Sequence, residues 1–328
     1  MDPVFIRQLG LMLPPIMPFT YTPDRESAWR LYHALDGDAR LADLRNSPLA
    51  PLVARPGVAP LVAASGDGIL RHADLRALAY PDRAFGKNPL SPAGERAVRA
   101  LMDTVWHRYQ LSLAHWGTTR RTDWSWQQTS RPEPSLVLQL NFPASHQSDF
   151  WRAVQHCGKI LRGRMECQSH PTRDDGVITA AWARLDGEPW GEEVLIEELQ
   201  SDWFRRALQL QRHPHSLQIR DRAALDHYIR HVMPAYAAEW PKAMLLAVLV
   251  MCRSELGIRR VWLHQPHTGA KLKSIEWDLP PRSLYTSLPK RFGFTPTQEA
   301  PDFLDAKRRR QLAALRRSGK PLFWRFDL

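Results

Sequence analysis

One stretch constrains the fold of this chain more than any other. The apolar pattern from Pro241 to Leu256 is closed by Gly257 and followed at once by the strand-like residues Arg260 to His264. No charge interrupts it between Ala243 and Cys252. That run is about half of what a membrane-spanning helix needs, so it reads as a helix buried within a protein. A buried helix that ends on glycine and feeds a strand is the mark of an α/β layer.

The neighbouring patterns supply partners for that layer. Leu136, Leu138 and Leu140 alternate with Val137 and Gln139, and Val177 to Trp182 is a short run of strand formers. Between them, Asp149 to Leu161 reads as a helix with Phe150, Trp151, Val154 and Ile160 on one side. Val194 to Leu199 is a third strand, and Asp202 is placed to cap a helix over Trp203 to Gln211. Arg282 to Lys290 fits one or two helical turns, and Pro321 to Phe326 a last strand. Further upstream, Ser91 and Pro92 open a helix predicted to reach Leu113. Its apolar positions Val98, Leu101, Met102, Val105, Tyr109 and Leu113 recur at three and four, with Trp106 and Trp116 near its end. The first 90 residues are broken by LPPIMPF, SPLAPLVARPGVAP and NPLSP. Proline lacks the amide donor, so this tract reads as an irregular arm with short helices such as Ser27 to Leu35. The expected fold class is α+β in α/β layers, a mixed sheet with covering helices. The expected organisation is an N-terminal arm (1–90), a helical connector (91–134), the α/β domain (135–306), and a basic helix with a final strand (307–328).

Charge refines the picture. The chain carries 45 Lys and Arg against 34 Asp and Glu, a net +11. Seven basic residues and no acidic one lie between Lys307 and Lys320, which leaves +4 for everything else. DAKRRRQLAALRRSGK reads as a helix with Gly319 past its end. Lys307, Arg308, Arg309, Arg310, Arg316 and Arg317 are therefore the candidate contacts for nucleic acid or for an acidic protein; a solvated surface helix is the alternative. The N-terminus has an acidic second residue and prolines where a signal peptide keeps an unbroken apolar core. A cytoplasmic protein without membrane contact is expected. Cys157, Cys167 and Cys252 suggest neither a disulfide set nor a metal-ligand spacing, so no metal is expected.

The densest polar cluster on a buried strand is VLIEELQSDW, Val194 to Trp203. Strand geometry puts Glu198 with Val194, Ile196 and Gln200 on one face, and Glu197 with Leu195 and Leu199 on the other. A shared-proton carboxylate pair is thereby disfavoured, but each glutamate needs a partner or a shifted pKa in a core strand. Acid/base function and structural ion pairing both produce that situation. A second cluster, Pro280 to Phe294, holds Tyr285 beside Arg282, Lys290 and Arg291. This tyrosine is either a proton donor or a packing residue. The stretch HQPHTGAKLK, with His264, His267, Lys271 and Lys273, resembles a phosphate-binding loop only loosely. Asp186 with Glu198 and Gln200 offers a divalent-ion arrangement for a nuclease, with glutamine where such sites carry lysine. No GxSxG, HExxH, GxGxxG or GxxxxGK[ST] pattern is present.

Two resemblances follow from these residues. EELQSDW (Glu197 to Trp203) is similar to the EEIQSDW signature of a domain in large polyvalent proteins of phages and conjugative elements, and the likeness extends over roughly residues 190 to 300. It implies ancestry in mobile elements and brings no activity with it. The order helix, strand, loop and helix, with Leu284-Tyr285 and Gly293-Phe294, resembles the latter half of GNAT N-acyltransferases. That resemblance implies a GNAT-like mixed sheet, acyl-coenzyme A as cofactor, Tyr285 as the acid that protonates the departing thiolate, and Glu198, or Glu197, as the base that deprotonates an amine. The [QR]xxGx[GA] pyrophosphate turn of that family is missing after Val194 to Leu199. The expected function is an N-acyltransferase acting on an amine, on a macromolecule for instance. The alternatives are a non-enzymatic nucleic-acid-binding or phage-conflict protein using the basic helix, and a metal-dependent nuclease.

Overall fold

A computed structural model of the chain describes residues 3–83, 90–102, 107–117, 129–167, 169–275 and 281–328. The chain divides into two compact units, one of Pro18–Tyr109 and one of Met1–Met17 with Gln110–Leu328. The expected mixed sheet with covering helices is present, and Val105 and Trp106 lie outside the described residues.

After the leading helix α1 (Pro3–Met12), the smaller unit runs β1 (Met17–Tyr21), α2 (Arg25–Ala34), β2 (Ala39–Arg40), α3 (Leu41–Arg45), α4 (Ala50–Val53), α5 (Ala59–Ala64), β3 (Ile69–Leu70), α6 (His72–Ala79) and α7 (Pro92–Met102). It has its own core, in which Leu31, Leu44, Val58, Leu61, Leu75, Val98 and Leu101 are buried together. The region read as irregular is thus built of many short helices. Its prolines begin α4 and α5 rather than break them, because the first helical turn has no need of the amide that proline lacks. Arg25 is buried, with its guanidinium donating to the carbonyls of Ala79 and Thr20 and lying 3.6 Å from Asp82.

The larger unit continues with β4 (His107–Trp116), β5 (Ser135–Asn141), α8 (Ala144–Val154), α9 (Gly158–Met165), β6 (Thr179–Gly187), β7 (Glu193–Gln200), α10 (Asp202–Arg212), α11 (Ile219–His231), α12 (Pro234–Ala237), α13 (Trp240–Ser254), β8 (Arg260–His264), α14 (Pro266–Lys273), α15 (Ser287–Phe292), β9 (Thr295–Thr297), α16 (Ala306–Arg316) and β10 (Phe323–Asp327). Within the larger unit the strands order as β4-β5-β6-β7-β8-β10-β9. Strands β4 to β7 are antiparallel neighbours, β7 and β8 run parallel, and β10 is antiparallel to both β8 and β9. The helix predicted from Pro92 to Leu113 ends at Met102. Tyr109, Leu111 and Leu113 also recur at two, and pairing with β5 (Leu111 opposite Leu140, Leu113 opposite Leu138) selects the strand.

Every residue of β5 and β6 is buried, so both faces of the sheet centre are covered. Helix α13 packs on β5, β6 and β7, with Ala243 to Cys252 buried throughout. Around β7, β8 and β10, Leu195, Trp262 and Phe323 pack with Leu272 of α14 and Leu312 of α16. HQPHTGAKLK is therefore mostly helix α14 rather than a loop, and Gly269 is where that helix comes close to the His264 side chain.

Within the smaller unit, Gly57 sits so close to the backbone of Asp24 that an added Cβ would collide with its carbonyl. Gly57→Ala is expected to lower stability by about 1–3 kcal/mol through overpacking. Urea denaturation followed by circular dichroism checks this, and an unchanged midpoint would contradict the close approach.

Candidate functional site

Strand β7 has a bulge. Arg184 faces Glu198 while the next residue, Leu185, faces Ile196, so Glu197 is the extra residue on its strand. The pairing of β7 with β8 runs only from Glu193/Arg260 to Ile196/Leu263. Beyond it, the edge of β7 is met by side chains. The Lys273 ammonium donates to the Glu197 carbonyl, and the Tyr285 hydroxyl lies 3.3 Å from the Leu199 amide, which donates to it.

Glu197 itself is completely buried. Its carboxylate accepts from the Ser130 amide at 3.0 Å and the Ser130 hydroxyl at 3.1 Å, meets His264 Nε2 at 3.2 Å, and lies 3.6 Å from Lys273 Nζ. Burial alone would raise this carboxyl. The bond to His264 and the charges of Lys273 and Arg184 outweigh burial and hold it well below the usual carboxylate range. Burial pushes His264 down despite its bond to Glu197, and burial likewise lowers Lys273. Ser130, His264 and Glu197 superficially suggest a nucleophilic triad, but both partners meet the same ring nitrogen, Nε2. A relay needs one partner on each nitrogen, and His264 Nδ1 has no hydrogen-bond partner among the described residues. The group is a buried electrostatic knot. The next residue, Arg131, extends it with a bidentate bond to Asp186 at 2.8 and 3.0 Å. The Asp186 carboxylate, considered as a cation ligand from the sequence, is thus occupied by a guanidinium.

Glu198 lies opposite Arg184 at the bulge and pairs with that buried side chain at 2.9 Å. Tyr285 is 3% exposed, and burial raises its hydroxyl above the ordinary value of 10. Among the described residues neither glutamate is its hydrogen-bond partner; its hydroxyl accepts from Leu199. The expected parity does not hold across the bulge: Glu198 opposite Arg184 and Ile196 opposite Leu185 lie on opposite faces, and Glu197, which meets His264, shares the face of Glu198. Nothing in the sequence pattern pointed to Ser130, His264 and Lys273 converging on Glu197 from 67 to 76 residues away.

The basic segment sorts by direction. Asp305 caps α16 by accepting from the Arg308 amide at 2.7 Å, and Leu312 anchors the helix. Arg308 donates to the Ser130 carbonyl, Arg309 to Leu304 and Asp302, and Arg316 to Gln298. These three serve the protein's own backbone. Lys307, Arg310 and Arg317 lie on the opposite side of the helix from Leu312, exposed and without an ion pair among the described residues.

A further polar group surrounds Asp202. Ser201, not Asp202, is the N-cap of α10, accepting from the Phe204 amide. Asp202 is drawn away by His170 Nδ1 at 2.7 Å, Gln200 Nε2 at 2.7 Å, Arg205 at 2.9 Å and Trp182 Nε1 at 3.3 Å. Burial alone would raise its carboxyl, but the His170 bond and charge, helped by Gln200 and Trp182, leave it lowered. The cysteines by themselves suggested no metal-ligand spacing, yet Cys167 and His170 stand in a C-x-x-H pattern that the sequence does show.

No helix among the described residues is long and apolar enough to cross a membrane. Comparison of the chain with protein-family models, with curated proteins and with solved structures gives no match.

Removing the anion from the knot strands a buried cation. Glu197→Gln is expected to destabilise the larger unit by about 3–5 kcal/mol, measurable by chemical denaturation. The pH dependence has a defined sign. His264 is lowered from 6.5 and Glu197 from 4.5, so in both ranges the unfolded chain binds more protons than the folded one. The contribution of these two groups is therefore complete above about pH 6.5, falls with pH as His264 is left unprotonated in the fold, and falls again below 4.5 through Glu197. His267, also lowered by burial, acts in the same sense as His264. His264→Gln should flatten the upper part of the profile; an unaltered profile would contradict this assignment.

Proposed function

We propose that this protein binds nucleic acid without acting on it, through the outward face of α16. The observation that carries the reading is the division of the basic segment: Lys307, Arg310 and Arg317 face outward without an ion pair among the described residues, while the other arginines of the helix are held by backbone carbonyls. At 1.5 Å per residue these three cations extend along roughly 15 Å of helix, and duplex DNA presents a charge about every 1.7 Å of its axis. The apolar residues on that face are the small side chains Ala306, Ala313 and Ala314. A protein partner would ask for an aromatic or aliphatic centre, which favours a phosphate backbone over an acidic protein. Exposed Lys320 extends the same charge.

The test is fluorescence anisotropy with duplex and single-stranded oligonucleotides over a salt series. The variant Lys307→Ala, Arg310→Ala, Arg317→Ala should lose ~2.7 from the slope of log K against log salt on duplex DNA, about 0.9 per phosphate contact. Failure of the unmodified chain to bind at low salt, or a slope that the triple variant leaves unchanged, would overturn the reading.

A second reading, N-acyl transfer from acyl-coenzyme A to an amine, is favoured by one observation. Parallel β7 and β8 pair over four residue pairs only, and Tyr285 reaches the β7 amide of Leu199 where that pairing has ended. In this reading an acyl donor displaces the Tyr285 hydroxyl from Leu199, Tyr285 protonates the departing thiolate, and Glu198 takes the proton of the amine. Isothermal titration with acetyl- and longer acyl-coenzyme A tests it. Binding that Tyr285→Phe leaves intact, with turnover reduced ~100-fold or more, is the expected result, and no heat with any donor rejects it.

A further inference from the structure

The loop that follows α9 turns back on itself, with the His170 amide donating to the Cys167 carbonyl at 2.9 Å. This turn sets Cys167 and His170 on the same side of the loop and opposite the first turn of α10. One ligand atom each from Cys167, His170 and Asp202 lies within 4.8 Å of the others. From these donors we propose that Cys167, His170 and Asp202 form a zinc site with three protein ligands and one open position.

The choice of metal follows from donor chemistry. A thiolate, an imidazole and a carboxylate together suit a borderline-soft ion that accepts tetrahedral geometry, which describes Zn²⁺ better than Mg²⁺ or Ca²⁺, whose sites are made of oxygen. Three protein ligands in place of four leave room for a water molecule or another small ligand. Cys167 and His170 are partly exposed, so an ion can reach the site, whereas Asp202 is buried and fixed. Binding requires the Cys167 thiol to lose its proton to solvent, and His170 to release its bond to Asp202 or keep it from the ring nitrogen that does not face the metal.

The surroundings hold the three groups in place. Trp182 and Arg205 donate to Asp202, and Gln200 reaches both Asp202 and His170 Nδ1, the latter at 3.1 Å. Arg206 of the same helix donates to the Glu166 carbonyl at 3.0 Å, which ties α10 to the residue before Cys167. The rings of Trp182 and Trp116 stand 5.5 and 6.0 Å from that of His170, forming an aromatic wall. Ligands oriented by outer hydrogen bonds are how metal sites are tuned. The site also gives the Gln-Ser-Asp part of EELQSDW a purpose beyond capping: Ser201 caps the helix, while Gln200 and Asp202 face the loop.

Cobalt is the appropriate probe because a competing histidine pair exists. His227 and His231 are four residues apart on α11 with ring centroids 4.6 Å apart, and they would also take up a divalent ion. Only a thiolate ligand produces sulfur-to-cobalt charge-transfer absorption, and Cys157 and Cys252 are buried. Titration of the full chain with Co²⁺ should therefore give that absorption at one equivalent, with Zn²⁺ displacing it. Cys167→Ser should abolish the band, and His170→Ala should weaken Co²⁺ binding by more than ~100-fold, beyond the loss seen for outer-layer residues. His227→Ala should change neither. Circular dichroism on each metal-free variant establishes that it is folded. No charge-transfer band in the full chain, or a band that survives Cys167→Ser, would overturn the proposal.

Discussion

The buried Glu197 carboxylate organises the larger unit. It sits at a bulge on β7, and four separate parts of the chain reach it: Ser130 before β5, His264 at the end of β8, Lys273 at the end of α14, and, through Ser130, Arg308 of α16. A charge taken out of water must be matched by partners in good geometry, so these elements are held to one arrangement. The parallel strands β7 and β8 can stop pairing after Ile196 and Leu263 because side chains take over the backbone groups beyond. Polar satisfaction replaces strand pairing at that point.

The same constraint links the two functional readings. Arg308 is fixed on Ser130, and Leu312 is fixed in the core beside β7, β8 and β10. That orientation leaves Lys307, Arg310 and Arg317 pointing outward. The end of the β7–β8 pairing, where the acyl-transfer reading would place its donor, is meanwhile occupied by Tyr285 and Lys273 in contact with β7. A basic helix with one anchored side and one solvated side is ready for a polyanion without rearrangement. The acyl-transfer reading needs Tyr285 to leave its amide first. This difference in what must move is why the charged surface ranks ahead of the catalytic reading.

Much of the larger unit was legible because its signals are local. The alternating leucines of β5 and the uncharged run of α13 with its terminal glycine depend on periods of two or 3.6 residues. The bulge at Glu197, by contrast, overrides the parity expected to send Glu197 and Glu198 to opposite faces. Proline was misleading for the opposite reason. It was read as a breaker in the first 90 residues, whereas at the first turn of α4 and α5 it starts short helices that share a core. The segment from His107 to Trp116 carries apolar residues at both periods, and only a strand neighbour could decide between them. Asp202 shows a similar limit: serine and aspartate both cap helices, and the nearby His170 leaves that task to Ser201.

By itself, then, the amino-acid sequence determined that this chain builds an α/β sheet around a buried helix, that most of its excess positive charge lies in one terminal segment, and that its chemically suggestive strand carries two adjacent carboxylates. Tertiary structure alone decided which carboxylate is enclosed, which cations turn outward, and that Cys167, His170 and Asp202 meet. Periodicity reports which side of an element faces the core. It carries no record of which distant residues share that core, because charge pairing and ligand geometry act through space between segments that are far apart along the chain.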